Sequence, residues 1–275
     1  MHMIEANGAH IPALGFGTFR MSEAEVADVL PSAIETGFRH IDTAQIYANE
    51  AAVGTAIKAS GVPRGEIFLT TKVWVSNFAA DLFEASVAES LRKLQTDHVD
   101  LLLLHWPNGS DVSRAVQIAE LNKVREKGMT RHIGVSNYST AQMREAVELS
   151  HAPIVTNQVE YHPWLSQAAV LAEARKLGMS LTAYYAMANG RSATDPVLRE
   201  IGARYGKSAA QVALRWLVQQ KDVAVLSKTA KIERLEENFT IFDFALSDDD
   251  MAAVSALAQP DGRIVSPAHL APAWD

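Results

Sequence analysis

An α/β protein whose strands close into a parallel barrel is the fold class this sequence predicts, and three observations carry the prediction. Short apolar runs alternate with amphipathic helical stretches about eight times, the number of strand–helix units a (β/α)8 TIM barrel needs. The run Val99-Asp100-Leu101-Leu102-Leu103-Leu104 is nearly continuous in apolar residues, as in a strand covered on both faces, whereas a half-exposed antiparallel strand would alternate. An open doubly wound sheet would want G-x-G-x-x-G after its first strand, and here Gly15 and Gly17 are followed by Arg20 where the third glycine would stand.

Each element has a local reason. Residues 3–11 carry Asn7-Gly8 between apolar flanks, a pair that accepts positive φ and predicts an N-terminal β-hairpin. A strand over 13–16 follows, and Ser22 with Glu25 forms a capping box opening a helix to about residue 36. Residues 38–41 are too short and apolar for a surface segment and read as a strand. Asp42 and Tyr47 stand just beyond it, ahead of a helical run of small apolar residues over 51–57. Strands at 67–71 and 99–104 precede helices beginning at about 80 and about 111, and a strand at 132–135 precedes a helix capped by Ser139 and Gln142. The strand at 154–159 precedes a helix over 168–177, that at 180–184 precedes helices over 196–205 and 209–218, and that at 223–226 precedes one over 232–239. A final helix over 251–257 leads into a proline-rich tail over 259–275, which we expect near the barrel mouth; the alternative is a tail docked on the outer helices. No composition break, linker or low-complexity tract divides the chain, so residues 1–275 read as one domain.

With 48% hydrophobic and 21% charged residues in 275, the chain has the balance of an ordinary soluble protein. A net charge of −7 and a pI near 5.7 argue against nucleic-acid and anionic-membrane partners, and confine any phosphate site to a local basic pocket. Without cysteine there is no disulfide, thiolate metal site or cysteine nucleophile, so a redox role needs a bound cofactor. The start, MHMIEANGAH, lacks a basic n-region and an apolar run, and no apolar stretch is long enough to span a bilayer; a cytoplasmic protein is expected.

In a barrel the polar residues at the strand ends converge: Asp42, Lys72 in Thr70-Thr71-Lys72-Val73-Trp74, and His105 in Leu104-His105-Trp106-Pro107, with Tyr47 beyond. A tyrosine with its ordinary pKa of about 10 is a poor acid, but a neighbouring ammonium favours the phenolate and eases proton release. Lys72 is placed for that, with Asp42 to hold it charged and oriented. A neutral His105 opposite would donate a hydrogen bond to a carbonyl oxygen. This is apparatus for protonating an oxygen while something else attacks the carbon. A lone loop aspartate often caps a turn, and His105 alone reads equally as a core histidine. Lys72 is the most telling of the set, because lysine at the buried end of an apolar strand is costly unless partnered. Other motifs fail: residues 202–208 end in Gly206-Lys207-Ser208 but are one residue short of a phosphate-binding loop, and 134–138 lack the closing glycine of a nucleophile elbow. The nine histidines include no His-x-x-x-His pair, so no catalytic metal is expected.

The stretches GFGTFR, GFRHIDTAQIYANEAAVG, TTKVW, LLLLHWP, IGVSNY, NQVEYHPWL and LSKTAKIERLEENF resemble, in order and across essentially the whole chain, the aldo-keto reductase family. The resemblance implies a (β/α)8 barrel, a single-subunit enzyme, and carbonyl reduction by hydride from NADPH, with NADP+ as its oxidised form. The catalytic quartet carries over onto Asp42, Tyr47, Lys72 and His105, with Tyr47 as proton donor. Cofactor contacts carry over onto Gly17, Thr18 and Phe19 in the first loop, Asp42 beside them, and Ser136, Asn137 and Gln158 for the carboxamide. Tyr184 matches the ring that stacks on the nicotinamide. Lys228, Thr229 and Arg234 match the grip on the adenosine 2′-phosphate, with Glu237 and Asn238 near the adenine; a helix N-terminus there adds a favourable dipole. Lys228 and Arg234 alternatively read as a solvated helix face. Phe19, Trp74 and Trp106, with Tyr47 and His105, would wall the substrate, although aromatic residues at strand ends also serve as core.

The tail and short loops resemble the bacterial 2,5-diketo-D-gluconate reductase B branch, whose members also reduce methylglyoxal and small aldehydes. Two departures stand out. Tyr184-Tyr185-Ala186-Met187 replaces the family's Tyr-Ser-Pro-Leu, and Leu226-Ser227-Lys228-Thr229 its Ile-Pro-Lys-Ser. The first alters the loop over the pyrophosphate, where Arg191 is the expected replacement anion contact. Rival functions are a Schiff-base aldolase on Lys72 and a non-catalytic NADPH-binding regulatory subunit. Asp42 disfavours the first by keeping the amine protonated, and the complete quartet disfavours the second.

Overall fold

Asn7 and Gly8 take φ of 46° and 85° and turn β1 (Met3–Ala6) back onto β2 (Ala9–Pro12), with Ile4 facing Ile11. The computed structural model describes residues 2–275; Met1, the first residue of the predicted domain, lies outside them. The hairpin sits at the amino ends of the barrel strands, where the Asn7 side-chain amide donates to the carbonyls of Ile154 (2.8 Å) and Leu177 (3.1 Å).

Eight parallel strands close the barrel among the described residues: β3 (Leu14–Gly17), β4 (His40–Asp42), β5 (Phe68–Val73), β6 (Val99–Leu104), β7 (Thr130–Ser136), β8 (Ile154–Glu160), β9 (Ser180–Tyr184) and β10 (Val223–Ser227), with β10 pairing back onto β3. Gly15 is needed where β10 and β4 press closest, since a Cβ there would lie 2.7 Å from Leu226 and 2.9 Å from His40. That glycine serves barrel closure rather than a dinucleotide fingerprint. All of β6 is buried, including Asp100, which accepts the Leu69 amide (2.9 Å) and pairs with Arg64 (2.8 Å).

The outer layer comprises α1 (Glu23–Thr36), α2 (Glu50–Ala59), α3 (Ala80–Leu94), α4 (Arg114–Glu126), α5 (Thr140–Leu149), α6 (Ala168–Lys176), α7 (Arg191–Thr194), α8 (Pro196–Tyr205), α9 (Ala209–Gln219), α10 (Leu235–Phe239) and α11 (Asp248–Ser255). The predicted capping boxes form with both reciprocal hydrogen bonds at Ser22/Glu25 and Ser139/Gln142. None of these helices is long and apolar enough to cross a membrane.

Several boundaries differ from the sequence reading, each for a local reason. The strand expected at 38–41 begins at His40, because Gly37 turns with φ of 122° and Arg39 is spent capping the carbonyls of Ile34 and Phe38 (2.8 and 3.0 Å). The helix expected from about 111 starts at Arg114, where the Ser113 hydroxyl accepts from Val116. The final helix starts at Asp248 rather than 251, because Ser247 caps it and three aspartates in its first turn complement the helix dipole. The stretch 232–239 splits into a 3₁₀ turn at Ile232–Arg234 and the short α10, and α7 has no counterpart in the sequence reading.

Candidate active site

Because all eight strands run parallel, their carboxyl ends share one mouth, and register decides which side chains meet there. Asp42 ends β4, Lys72 is the penultimate residue of β5 opposite Leu103, and His105 follows β6 with its amide on the Val73 carbonyl at 3.2 Å. Ser136 of β7 faces Gln158 of β8. Asn137 takes φ of 64°, a left-handed conformation asparagine tolerates, which turns the chain out of β7.

Tyr47 is carried by the 3₁₀ turn Gln45–Tyr47, with its amide on Ala44 O at 3.0 Å. Gln45 fixes that turn. Its amide nitrogen donates to Ser86 and Ser90, while its oxygen accepts the Trp74 amide and the Asn77 side chain, both at 2.9 Å. Gln45 carries no signal in the sequence, because nothing in its neighbours shows that it stitches Tyr47 to the Trp74 loop.

Lys72 lies beneath the tyrosine. Its ammonium donates to Asp42 Oδ1 at 2.5 Å and Thr43 O at 2.9 Å, and lies 3.4 Å from the Tyr47 oxygen. Asp42 Oδ2 accepts from Gln158 at 2.7 Å. The Lys72 and Asp42 side chains are 1% and 3% exposed. Burial pushes the ammonium's pKa down, and Asp42 opposes that push. For Tyr47 the expected acidification is reversed: burial, then the Asp42 charge and Tyr184, push the phenol well above its ordinary value. Tyr47 is half-buried, so cleft solvent tempers the rise, but the proton stays on the phenol. The ammonium beside Tyr47 favours the phenolate, but desolvation of the ring and the Asp42 charge that accompanies Lys72 outweigh it. His105 is pushed well below its ordinary value by burial and then by Lys72, so it is a neutral imidazole; its Nδ1 is buried without a hydrogen-bond partner among the described residues.

These groups open onto a cleft of about 570 Å³. Asp42, Tyr47, His105 and Trp74 line its floor; Lys72 does not reach it. The Tyr47 ring stands 5.6 Å from His105 and 5.1 Å from Phe19, and Trp74 stands 5.2 Å from His105. Trp106 also lines the cleft, backed at 6.4 Å by Trp274. One wall is built from Ser136, Asn137, Gln158 and Tyr184, with the Tyr184 hydroxyl on Asn137 Oδ1 at 2.7 Å.

Gly17 and Lys228 line the cleft, while other predicted contacts lie outside its lining. Thr18 is buried, with its amide and hydroxyl both donating to the Asp42 carbonyl at 3.0 Å, so it holds the loop. Thr229 caps its own turn, accepting the Lys231 amide at 3.0 Å. Arg234 is exposed just before α10, on which Glu237 is half-buried and Asn238 buried. Arg191 is not the cleft cation; its guanidinium stacks 4.3 Å from the Trp164 ring centroid. Arg20 is there instead, reaching the Tyr185 hydroxyl at 3.3 Å, which in turn donates to Asn189 at 2.6 Å. Its place directly after Phe19 in GFGTFR was the available signal. Val265, Pro267 and Leu270 place the tail in the wall, whereas His269 and Trp274 do not line it.

Comparison with known proteins identifies the family. The model of the Aldo/keto reductase family matches residues 13–259. Methylglyoxal reductase DkgB of Escherichia coli O157:H7 is 43% identical over 267 residues, covering 96% of this chain and 99% of that protein. A crystal structure provisionally named a 2,5-diketo-D-gluconic acid reductase B superposes with a TM-score of 0.99 at 68% identity, covering 100% of this chain and 98% of that one. The aldose reductase of Schistosoma japonicum superposes with a TM-score of 0.88 at 30% identity, over 95% and 94% of the two chains.

Proposed function

This chain belongs to the aldo/keto reductase family, and on that premise we propose that it is an NADPH-dependent reductase of small aldehydes and dicarbonyls, methylglyoxal and keto-sugar acids among them, with Tyr47 as proton donor. The observation that carries this reading is the stack Asp42–Lys72–Tyr47 opening onto the same cleft as a neutral His105. The residues present suit the cofactor. A tyrosine face beside two carboxamides, Asn137 and Gln158, fits an amide-bearing ring. Arg20 and Lys228, which have no carboxylate within ion-pair distance among the described residues, fit phosphates in an otherwise acidic chain.

When bound, NADPH supplies the hydride that becomes the new C–H bond. Tyr47 holds its proton until the carbonyl oxygen gains charge, then gives it to that oxygen, and Lys72 at 3.4 Å stabilises the phenolate left behind. Asp42 and Thr43 fix the ammonium, and Gln158 fixes Asp42. His105, kept neutral by burial and Lys72, donates a hydrogen bond that orients the carbonyl without competing as an acid. Aromatic walls at Phe19, Trp74 and Trp106 exclude water from that oxygen.

Two rival readings lose support. A Schiff-base aldolase needs substrate at the Lys72 amine, which is buried against Asp42 and absent from the cleft lining. A purely regulatory subunit has no use for a complete proton-donating set aimed at open space. The test is an NADPH-oxidation screen with methylglyoxal, aromatic aldehydes and keto-sugar acids. Turnover with one class supports the reading, and cofactor binding without turnover of any would sink it.

A further inference from the structure

The geometry points to Glu160 as a positioning residue for the carbonyl pocket, a buried carboxylate whose task is to hold the C-terminal tail in place as one wall of the cleft. This rests on the reductase reading and extends it to the residue that sets substrate selectivity. Glu160 ends β8, two residues after Gln158 and therefore on the same face of the strand. Its side chain is fully buried. Oε1 accepts the Ile264 amide at 2.7 Å and faces His162 Nε2 at 3.0 Å, and Oε2 accepts the Val265 amide at 2.9 Å with Arg263 at 3.8 Å.

Apart from His162, both amide donors and the neighbouring Arg263 charge belong to residues 263–265. A buried carboxylate is costly unless its oxygens are met by donors, so the tail is the structural reason a charged group can stand at this strand end. Two of the donors are successive main-chain N–H groups, which fixes the backbone itself. Val265, so held, lines the cleft together with Pro267 and Leu270 farther along. The approach of the tail is close: a Cβ on Gly262 would lie 1.8 Å from the Trp164 carbonyl. Arg263 carries the anchor to the opposite wall, stacking 3.6 Å from the Trp274 ring centroid, and Trp274 backs Trp106. At the far end the Asp275 side chain accepts the Thr140 amide (2.8 Å) and hydroxyl (2.7 Å). The segment between these two anchors is the wall.

Glu160→Gln replaces one acceptor oxygen with an amide that meets a main-chain N–H donor to donor. Amide hydrogen exchange in the full-length protein should then be at least about ten-fold faster at Ile264 and Val265. KM for aromatic aldehydes should rise several-fold and their ranking against methylglyoxal should change, while kcat for methylglyoxal and NADPH affinity hold. Glu160→Asp, which keeps the charge, should fall between. Thr140→Ala, a half-buried change that removes the hydroxyl half of the far anchor and leaves the main-chain amide on Asp275, should shift the ranking the same way but less, and it stands in should Glu160→Gln fail to fold. Unchanged exchange in Glu160→Gln would remove Glu160 as the anchor. Faster exchange with unmoved KM and ranking would remove the tail as a selectivity wall. Absence of carbonyl turnover in the unaltered protein would strike the reductase reading alone, because the exchange measurement needs no substrate.

Discussion

Lys72→Met should destabilise the protein by about 3–5 kcal/mol, the usual cost of stranding one member of a buried ion pair. The structure argues for that full range. Lys72 is 1% exposed, and Asp42, 3% exposed, would keep only Gln158 at 2.7 Å while the Thr43 carbonyl loses its donor. Methionine fills much of the lysine's volume, so the loss is electrostatic rather than a cavity. Asp42→Asn combined with Lys72→Met leaves neither member of the pair charged and should recover most of the loss, giving a coupling energy of about 2 kcal/mol or more. Urea unfolding with linear extrapolation measures each member of the cycle, and thermal midpoints should follow at about 2–4 °C per kcal/mol. A single-variant loss below about 1 kcal/mol, or simple additivity in the double variant, would refute the claim that burial makes this pair interdependent.

Tyr47→Phe should lower kcat for carbonyl reduction by about 10²–10⁴ while fluorescence titration finds NADPH affinity nearly unchanged, since a proton is removed and little of the cofactor wall; retained turnover would mean another donor. Arg234→Met should weaken NADPH binding about ten-fold or more and barely touch NADH, with Lys228→Met acting in the same sense; equal losses for both cofactors would place the 2′-phosphate elsewhere. Burial pushes the His40 and His105 imidazoles below their ordinary value, so beneath about pH 6.5 the unfolded chain takes up protons the fold refuses. Their contribution to stability is full above that value and is lost as pH falls toward the folded pKa values, at up to about 1.4 kcal/mol per pH unit per group. Urea unfolding from about pH 7 down to pH 5 should show the decline, and replacing His40 should reduce its slope.

The barrel was legible in the chain because its signals are local. A nearly continuous apolar strand such as 99–104, a hairpin at Asn7-Gly8 and capping boxes at Ser22 and Ser139 each depend on residues a few positions apart, so the sequence alone determined the order of the barrel strands, the main helices between them and the mouth where Asp42, Tyr47, Lys72 and His105 meet. What it left open depends on groups far apart in the chain. That Tyr47 keeps its proton follows from burial and the Asp42 charge, which outweigh a lysine 25 residues away that local chemistry had counted as decisive. That Arg20 rather than Arg191 reaches the cleft follows from Trp164 taking Arg191's guanidinium. That Glu160 holds Val265, 105 residues on, follows from the tail folding back over the mouth. Burial, and with it the cost of every charge and the value of every donor, belongs to the whole packed chain, and only the tertiary structure assigns it.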